Sequence, residues 1–130
     1  MIGNKIRLGL FYMLYLGLCP VGIEAADPEV LKPRVPAEQM EEARTWKNPF
    51  PSTSDNIKKG EALFHGKAFC VTCHGKDGKG FGNIPGLLGK LPRNFTDKDW
   101  QAERKDGELL WILKNGSAGT AMASFIPLVI

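Results

Sequence analysis

The chain has 130 residues, of which 43% are hydrophobic, with three cysteines and a formal net charge of +3 at pH 7. This length holds one small domain, which buries only a modest core unless a cofactor or a cross-link adds to it. The charge is too small to indicate a nucleic-acid-binding protein, so we expect no nucleic-acid partner.

Residues 1–26 have the layout of a secretory signal peptide. Lys5 and Arg7 precede an uncharged stretch of 16 residues, and small residues follow at Ala25 and Ala26. The uncharged stretch is shorter than the roughly 20 residues that cross a bilayer. We therefore expect cleavage after Ala25 or Ala26 and a periplasmic or otherwise exported protein. Membrane contact is expected only through an uncleaved signal or a membrane-bound partner.

Residues 27–54 form a Pro-rich N-terminal extension, with five of the nine prolines of the chain. Such a segment is typical of a strap or a linker on the surface of the neighbouring domain. Pro36 is a favourable first-turn residue, and the stretch "AEQMEEARTW" after it predicts a short helix that ends before Pro49.

The remaining residues, 55–130, are predicted to form an all-α domain of three to four helices with long loops. A helix is expected to begin near Ser54 with a Ser or Asp cap, and Gly60 leaves room on it for a second helix to cross closely. A glycine-rich loop follows from Gly75, and a later helix is predicted from about Gly107, ended by Asn115 and Gly116. No segment alternates apolar and polar residues for long enough to predict a strand.

The motif "FCVTCHGKDGKG" places Cys70, Cys73 and His74 at positions i, i+3 and i+4. A structural zinc site needs four ligands, and a redox dithiol belongs in a strand-helix context and leaves His74 unexplained. A plain disulfide leaves it unexplained too. Cysteine, two residues, cysteine, histidine is the attachment signature of c-type haem. On one helical turn these positions share a face, so both thiols can bond the porphyrin edge while His74 reaches the iron. We therefore expect one covalently attached haem c.

From about residue 55 onward the chain resembles the class I c-type cytochromes. The resemblance lies in "GEALF", "FCVTCHGKDGKG", "LPRNFTDKDW" and "LLWILKNGSAGTAMASF". It implies a cytochrome c-like fold around one haem and a second axial ligand from a late methionine, which Met122 matches. Met40 lies on a polar stretch upstream, and His65 lies on the helix that leads into the motif, so neither is favoured as the second ligand.

The resemblance also implies a proline carbonyl that accepts a hydrogen bond from Nδ1 of His74, and both Pro85 and Pro92 qualify. Aromatic residues near the loops either pack on the porphyrin or belong to an ordinary core, and Trp100 or Arg93 is a candidate for binding a haem propionate. Lysines around the motif either steer an acidic redox partner or are simply solvated. The aromatic residues are Phe95, Trp100 and Trp111, and the lysines are Lys67, Lys76, Lys79 and Lys90.

Class I cytochromes normally finish with a helix that crosses the first one, and this sequence stops at Ile130. We therefore expect that the C-terminal helix is missing and that the domain is truncated. The predicted function is one-electron transfer between redox partner proteins, without enzymatic activity. Two alternatives stay open: a haem-bearing subunit of a larger respiratory oxidoreductase, and a haem enzyme or sensor with a labile sixth ligand.

Overall fold

The computed structural model describes residues 28–83 and 89–126. The predicted signal peptide and Pro85 lie outside these ranges. The described residues form short helices without any strand, which confirms the all-α prediction. Across the same ranges, every helix falls short of the length and apolar character of a membrane span. In chain order the helices are α1 (Pro28–Leu31), α2 (Ala37–Thr45), α3 (Ser54–His65), α4 (Val71–His74), α5 (Lys98–Glu103) and α6 (Asp106–Asn115).

Local sequence signals account for most helix ends. Helix α2 begins directly after Pro36, as predicted, whereas no pattern predicts the single turn of α1. Helix α3 begins at Ser54, but its cap is the preceding residue, Thr53, whose side-chain oxygen accepts a hydrogen bond from the N–H of Asn56 at 3.3 Å. Helix α6 ends at Gly116, which has a φ of +77° and ends the helix as expected.

The closest helix packing in the described structure joins α2, in the N-terminal extension, to α6. Ala43 of α2 is fully buried. It faces Gly107 of α6, where a Cβ atom would collide with the Ala43 carbonyl oxygen and lie 2.9 Å from that of Trp46. Because only a residue without a side chain permits this approach, Gly107 determines how closely the two helices pack.

A buried carboxylate joins the same helices. Glu108 of α6 is 2% exposed, and its two oxygens accept hydrogen bonds from Nε of Arg44 at 2.8 Å and Nη1 of Arg104 at 3.1 Å. Arg104 is itself 7% exposed and also donates to the Leu31 carbonyl of α1 at 2.8 Å. A buried charge is tolerated only when it is paired and hydrogen-bonded, so Glu108 ties the extension to the domain.

Further contacts continue along α6 toward its C-terminal end. The indole N–H of Trp111 donates to Oε1 of Gln39 at 2.7 Å, and the ammonium of Lys114 lies 4.5 Å from the ring centroid of Trp46. We call the segment 28–46 the strap. Its second half, α2 and Trp46, therefore lies along most of the length of α6.

The apolar face of α3 is largely exposed. Ile57 is 62% exposed and Leu63 is 39% exposed, and nothing lies within 4 Å of a Cβ atom built at Gly60. The expected helix crossing at Gly60 is thus not made by any described residue, because α2 packs on α6 and leaves α3 uncovered.

The core formed by the described residues is small. Its buried apolar residues are Val35, Ala43, Ala68 and Trp100. Two of these are alanines, so side-chain packing alone buries little apolar surface in this part of the chain.

Substituting Gly107 by Ala should lower the free energy of unfolding by about 1–3 kcal/mol, because the new methyl group meets backbone atoms that cannot rotate away. Gly60→Ala is the matched control, since it adds the same methyl group in open space on a helix and should gain about 0.5–1 kcal/mol from helix propensity. Denaturant unfolding measures both. An equal loss at Gly60 would mean that a further segment covers that face of α3.

Glu108→Gln should lower the free energy of unfolding by about 3 kcal/mol or more, because it leaves the buried guanidinium of Arg104 without an anionic partner. Glu61→Gln, at an exposed position of α3, removes the same charge and should stay within about 0.5 kcal/mol of the parent protein. Equal stability of the two variants would contradict a structural role for the buried carboxylate.

Candidate functional site

The residues of the Cys-x-x-Cys-His motif lie on one helical turn. Cys70 has φ −58° and ψ −36°, the His74 N–H donates to the Cys70 carbonyl at 2.9 Å, and the Gly75 N–H donates to the Val71 carbonyl at 3.0 Å. Cys70, Cys73 and His74 therefore share one face of the turn, as the spacing predicts. Both thiols are free, so they do not form a disulfide with each other.

The environment of Cys70 does not suit a redox dithiol. Burial raises the pKa of its thiol, and the neighbouring Cys73 adds to this rise, against the lowering effect of a backbone hydrogen bond. The Sγ atom donates to the Ala68 carbonyl at 3.7 Å. An attacking cysteine in a redox motif needs a lowered pKa, because the thiolate is the reactive form. The raised pKa of Cys70 is the opposite of what such an attacking cysteine needs.

The glycine-rich loop after the motif wraps closely around α4. A Cβ atom at Gly82 would collide with the Thr72 carbonyl oxygen, so the loop reaches α4 only because glycine stands there. The last carbonyls of a helix lack partners within the helix itself. Here the loop supplies these partners. The N–H of Asn83 donates to the Thr72 carbonyl at 2.9 Å, that of Gly82 to the Cys73 carbonyl at 3.0 Å, and that of Gly80 to the His74 carbonyl at 2.9 Å.

The imidazole of His74 is held against an aromatic side chain. It stacks on Phe95 with ring centroids 4.4 Å apart and 18° between the planes, and Trp100 lies 5.5 Å behind Phe95. Burial lowers the pKa of His74 below its ordinary value. The neutral imidazole, which is the form that binds metals, is therefore favoured near pH 7.

The backbone beside His74 belongs to Arg93. Its carbonyl lies near the imidazole and partly opposes the lowering of the pKa, but burial has the larger effect. Nδ1 of His74 is buried, and no described group completes a hydrogen bond with it. The carbonyl of Pro92, one of the two expected acceptors, lies instead 2.5 Å from where a Cβ atom of Gly80 would stand. The carbonyl near the ring thus comes from the residue after the expected proline.

Met122 lies half-buried in a loop that folds back on the C-terminal end of α6. Its carbonyl accepts from the Ser117 N–H at 2.8 Å, and its own N–H donates to Oγ1 of Thr120 at 3.1 Å. Two further hydrogen bonds fasten the loop to the last turns of α6, from the Phe125 N–H to the Leu113 carbonyl at 2.9 Å and from Oγ of Ser124 to the Lys114 carbonyl at 2.6 Å. The backbone around Met122 is therefore anchored to α6.

Several candidate residues have partners that the sequence does not predict. Trp111 bonds Gln39, and the guanidinium of Arg93 donates to the carbonyls of Glu29 at 3.1 Å and Lys32 at 3.0 Å. Both side chains therefore contact the strap. Of the predicted ligand alternatives, Met40 is half-buried on α2 and His65 is exposed on α3, and the lysines Lys67, Lys76, Lys79 and Lys90 are all exposed.

The residues around the motif fit a large, flat, apolar cofactor. Phe69, Phe81 and Leu91 are near the motif or its loop and are 64%, 69% and 58% exposed. Covering by an apolar group would remove such side chains from water. The described ranges contain no cluster of three or more His, Cys, Asp or Glu residues that could hold a bare metal ion. Two thiols and a neutral imidazole on one turn match the attachment chemistry of haem c.

Comparison with known proteins agrees with this geometry. A family model described as cytochrome c oxidase, cbb3-type, subunit III, matches residues 55–129. No curated protein and no solved structure matches the chain. The family match covers the motif, the glycine-rich loop, α5, α6 and the Met122 loop. The chain therefore belongs to this cytochrome family, as a class I c-type cytochrome domain that carries covalently attached haem c.

Proposed function

We propose that the protein is an exported, periplasmic one-electron carrier in which Cys70 and Cys73 hold haem c through thioether bonds. In this proposal His74 and Met122 are the two axial ligands of the haem iron. The observation that carries it is the single turn from Cys70 to His74, where both thiols and a half-buried imidazole share one face.

Haem c, when bound, supplies the exchange of one electron between the ferrous and ferric states of its iron. His74 presents a neutral ring whose plane is held by the stack on Phe95. The Arg93 carbonyl lies near the ring, and Nδ1 is a buried nitrogen without a hydrogen-bond partner among the described residues. A hydrogen bond from Nδ1 to this carbonyl would orient the ring and make it a better donor to a metal.

Met122 would be the second side chain to hold the iron, and its loop is fastened to α6 by hydrogen bonds from Ser124 and Phe125. A thioether opposite an imidazole stabilises the ferrous state and raises the reduction potential relative to two imidazoles. With both His74 and Met122 holding the iron, no position would be open for a substrate. Electron transfer is therefore favoured over catalysis.

A second candidate function is that of a haem-bearing subunit in a larger respiratory oxidoreductase. It is supported by the family match, because the matching family is described as an oxidase subunit. Purification from native periplasm and membranes distinguishes the two. A carrier elutes from gel filtration at the size of a free small protein, whereas a subunit co-purifies with an integral membrane complex.

Intact-mass spectrometry after denaturation should show the mass of one added haem on protein produced with a cytochrome c maturation system. The double variant Cys70→Ala, Cys73→Ala should lose that mass completely, while the control Cys19→Ala should keep it. The N-terminal mass of the parent protein also tests signal cleavage after Ala25 or Ala26. Haem mass retained in the double variant would contradict thioether attachment at these two cysteines.

Substituting Met122 by Ala should leave haem attached but open one axial position of the iron. The oxidised parent protein should show a weak methionine-to-iron band at about 695 nm, and the variant should lack it. The reduced variant should bind carbon monoxide rapidly. Met40→Ala is the matched control and should retain the parent spectrum. An unchanged spectrum in Met122→Ala would contradict the ligand assignment, and a parent protein without the band would support the enzyme or sensor alternative.

A further inference from the structure

The strap, residues 28–46, contacts Arg93, whose backbone lies beside His74, and α6, to which the Met122 loop is attached, although it lies before the matched family domain. We propose that the strap is a positioning element for the haem iron, which holds the backbone beside His74 through Arg93 and the Met122 loop through α6. This inference rests on the proposed function, because it assumes that His74 and Met122 are the ligands.

The contact on the His74 side runs through a single residue. The guanidinium of Arg93 donates to the carbonyls of Glu29 and Lys32 at 3.1 and 3.0 Å, at α1 and directly after it. The backbone carbonyl of the same residue lies near the imidazole of His74. Two residues later, Phe95 stacks on that imidazole. A displacement of α1 is therefore transmitted to the two groups that orient the His74 ring.

The segment from Pro92 to Phe95 is held from its other side by the glycine-rich loop. The Pro92 carbonyl packs against Gly80, and the Phe95 N–H donates to the Gly78 carbonyl at 2.8 Å. The loop also binds the carbonyls at the end of α4. The segment thus lies between the motif and the strap, and the Arg93 side chain determines how firmly it is held on the strap side.

The contact on the Met122 side runs along α6. The strap binds Glu108 near the start of this helix, Trp111 in its middle and Lys114 in its last turn. The last turn is also where the Met122 loop is attached, because the carbonyls of Leu113 and Lys114 accept hydrogen bonds from Phe125 and Ser124. Fixing α6 against α2 therefore fixes the base from which Met122 extends.

If the strap orients both ligands, then weakening either contact should change the properties of the iron and not only the stability of the fold. A misplaced carbonyl beside His74 alters the donor strength of the imidazole and hence the reduction potential. A looser α6 allows Met122 to leave the iron more often, so an external ligand binds faster.

Arg93→Gln tests the His74 side, because it removes the guanidinium and leaves the backbone carbonyl in the chain. Relative to the parent protein, the reduction potential of this variant should shift several times more than that of the control Lys98→Gln. The control removes the same charge at an exposed position of α5. The haem-methyl pattern in the NMR spectrum of the oxidised protein should change with it. Arg93→Lys can replace one of the two hydrogen bonds to the strap and should give an intermediate potential. It also provides the test if Arg93→Gln folds poorly.

Gln39→Ala tests the Met122 side, because it removes the hydrogen bond to Trp111 at the surface of the strap. Carbon monoxide should bind the reduced variant about three- to tenfold faster than the parent protein, as expected for the loss of one hydrogen bond. Glu41→Ala is the control on the same helix and should bind at the parent rate, since its side chain is exposed.

The possible outcomes separate this inference from the proposed function. A parent protein with the band at about 695 nm, together with shifted potentials and rates in the two variants, supports the strap as a positioning element. The same parent spectrum with variants that melt earlier but keep the control potential and rate overturns the inference and leaves the proposed function intact. A parent protein without that band overturns the ligand pair, and this inference with it.

Discussion

The short turn from Cys70 to His74 is the constraint on which the rest of the structure depends. Two thiols and an imidazole point from one face only while this turn is helical, and a turn of this length has too few internal hydrogen bonds to be stable alone. The glycine-rich loop supplies the missing partners, because its N–H groups donate to the three carbonyls at the C-terminal end of the turn. The glycines are therefore part of the haem-attachment site, because a side chain at Gly82 would push the loop away from the turn.

The second organising feature is the strap, which gives a domain with few buried side chains a further packing partner. Its contacts with α6 combine a close backbone approach at Gly107, a buried carboxylate at Glu108 and an indole hydrogen bond at Trp111. The extension contributes two of the four buried apolar residues among the described ones, Val35 and Ala43. In the role proposed for the strap, the contacts that stabilise the fold are also the ones that position the groups around the haem.

The sequence predicts the attachment turn, the helices α2, α3 and α6 and the all-α class, because these depend on local spacing and capping. It does not predict the turn into the motif, where Phe69 has a φ of +54°, since a phenylalanine carries no signal for a left-handed backbone. It also does not predict the partners of Arg93 and Trp111, which are 61 to 72 residues away along the chain. Contacts of that separation are determined by how the helices pack, and a single sequence does not encode them in any local pattern.

The long range of the strap contacts has a consequence for the order of events during biogenesis. Arg44 and Glu108 are 64 residues apart, and Leu31 and Arg104 are 73 apart, so the strap is made first but docks only after α6 exists. The attachment turn at Cys70 emerges between these two events. Docking of the strap on α6 therefore closes a long loop of the chain, and that loop contains the whole attachment turn from Cys70 to His74.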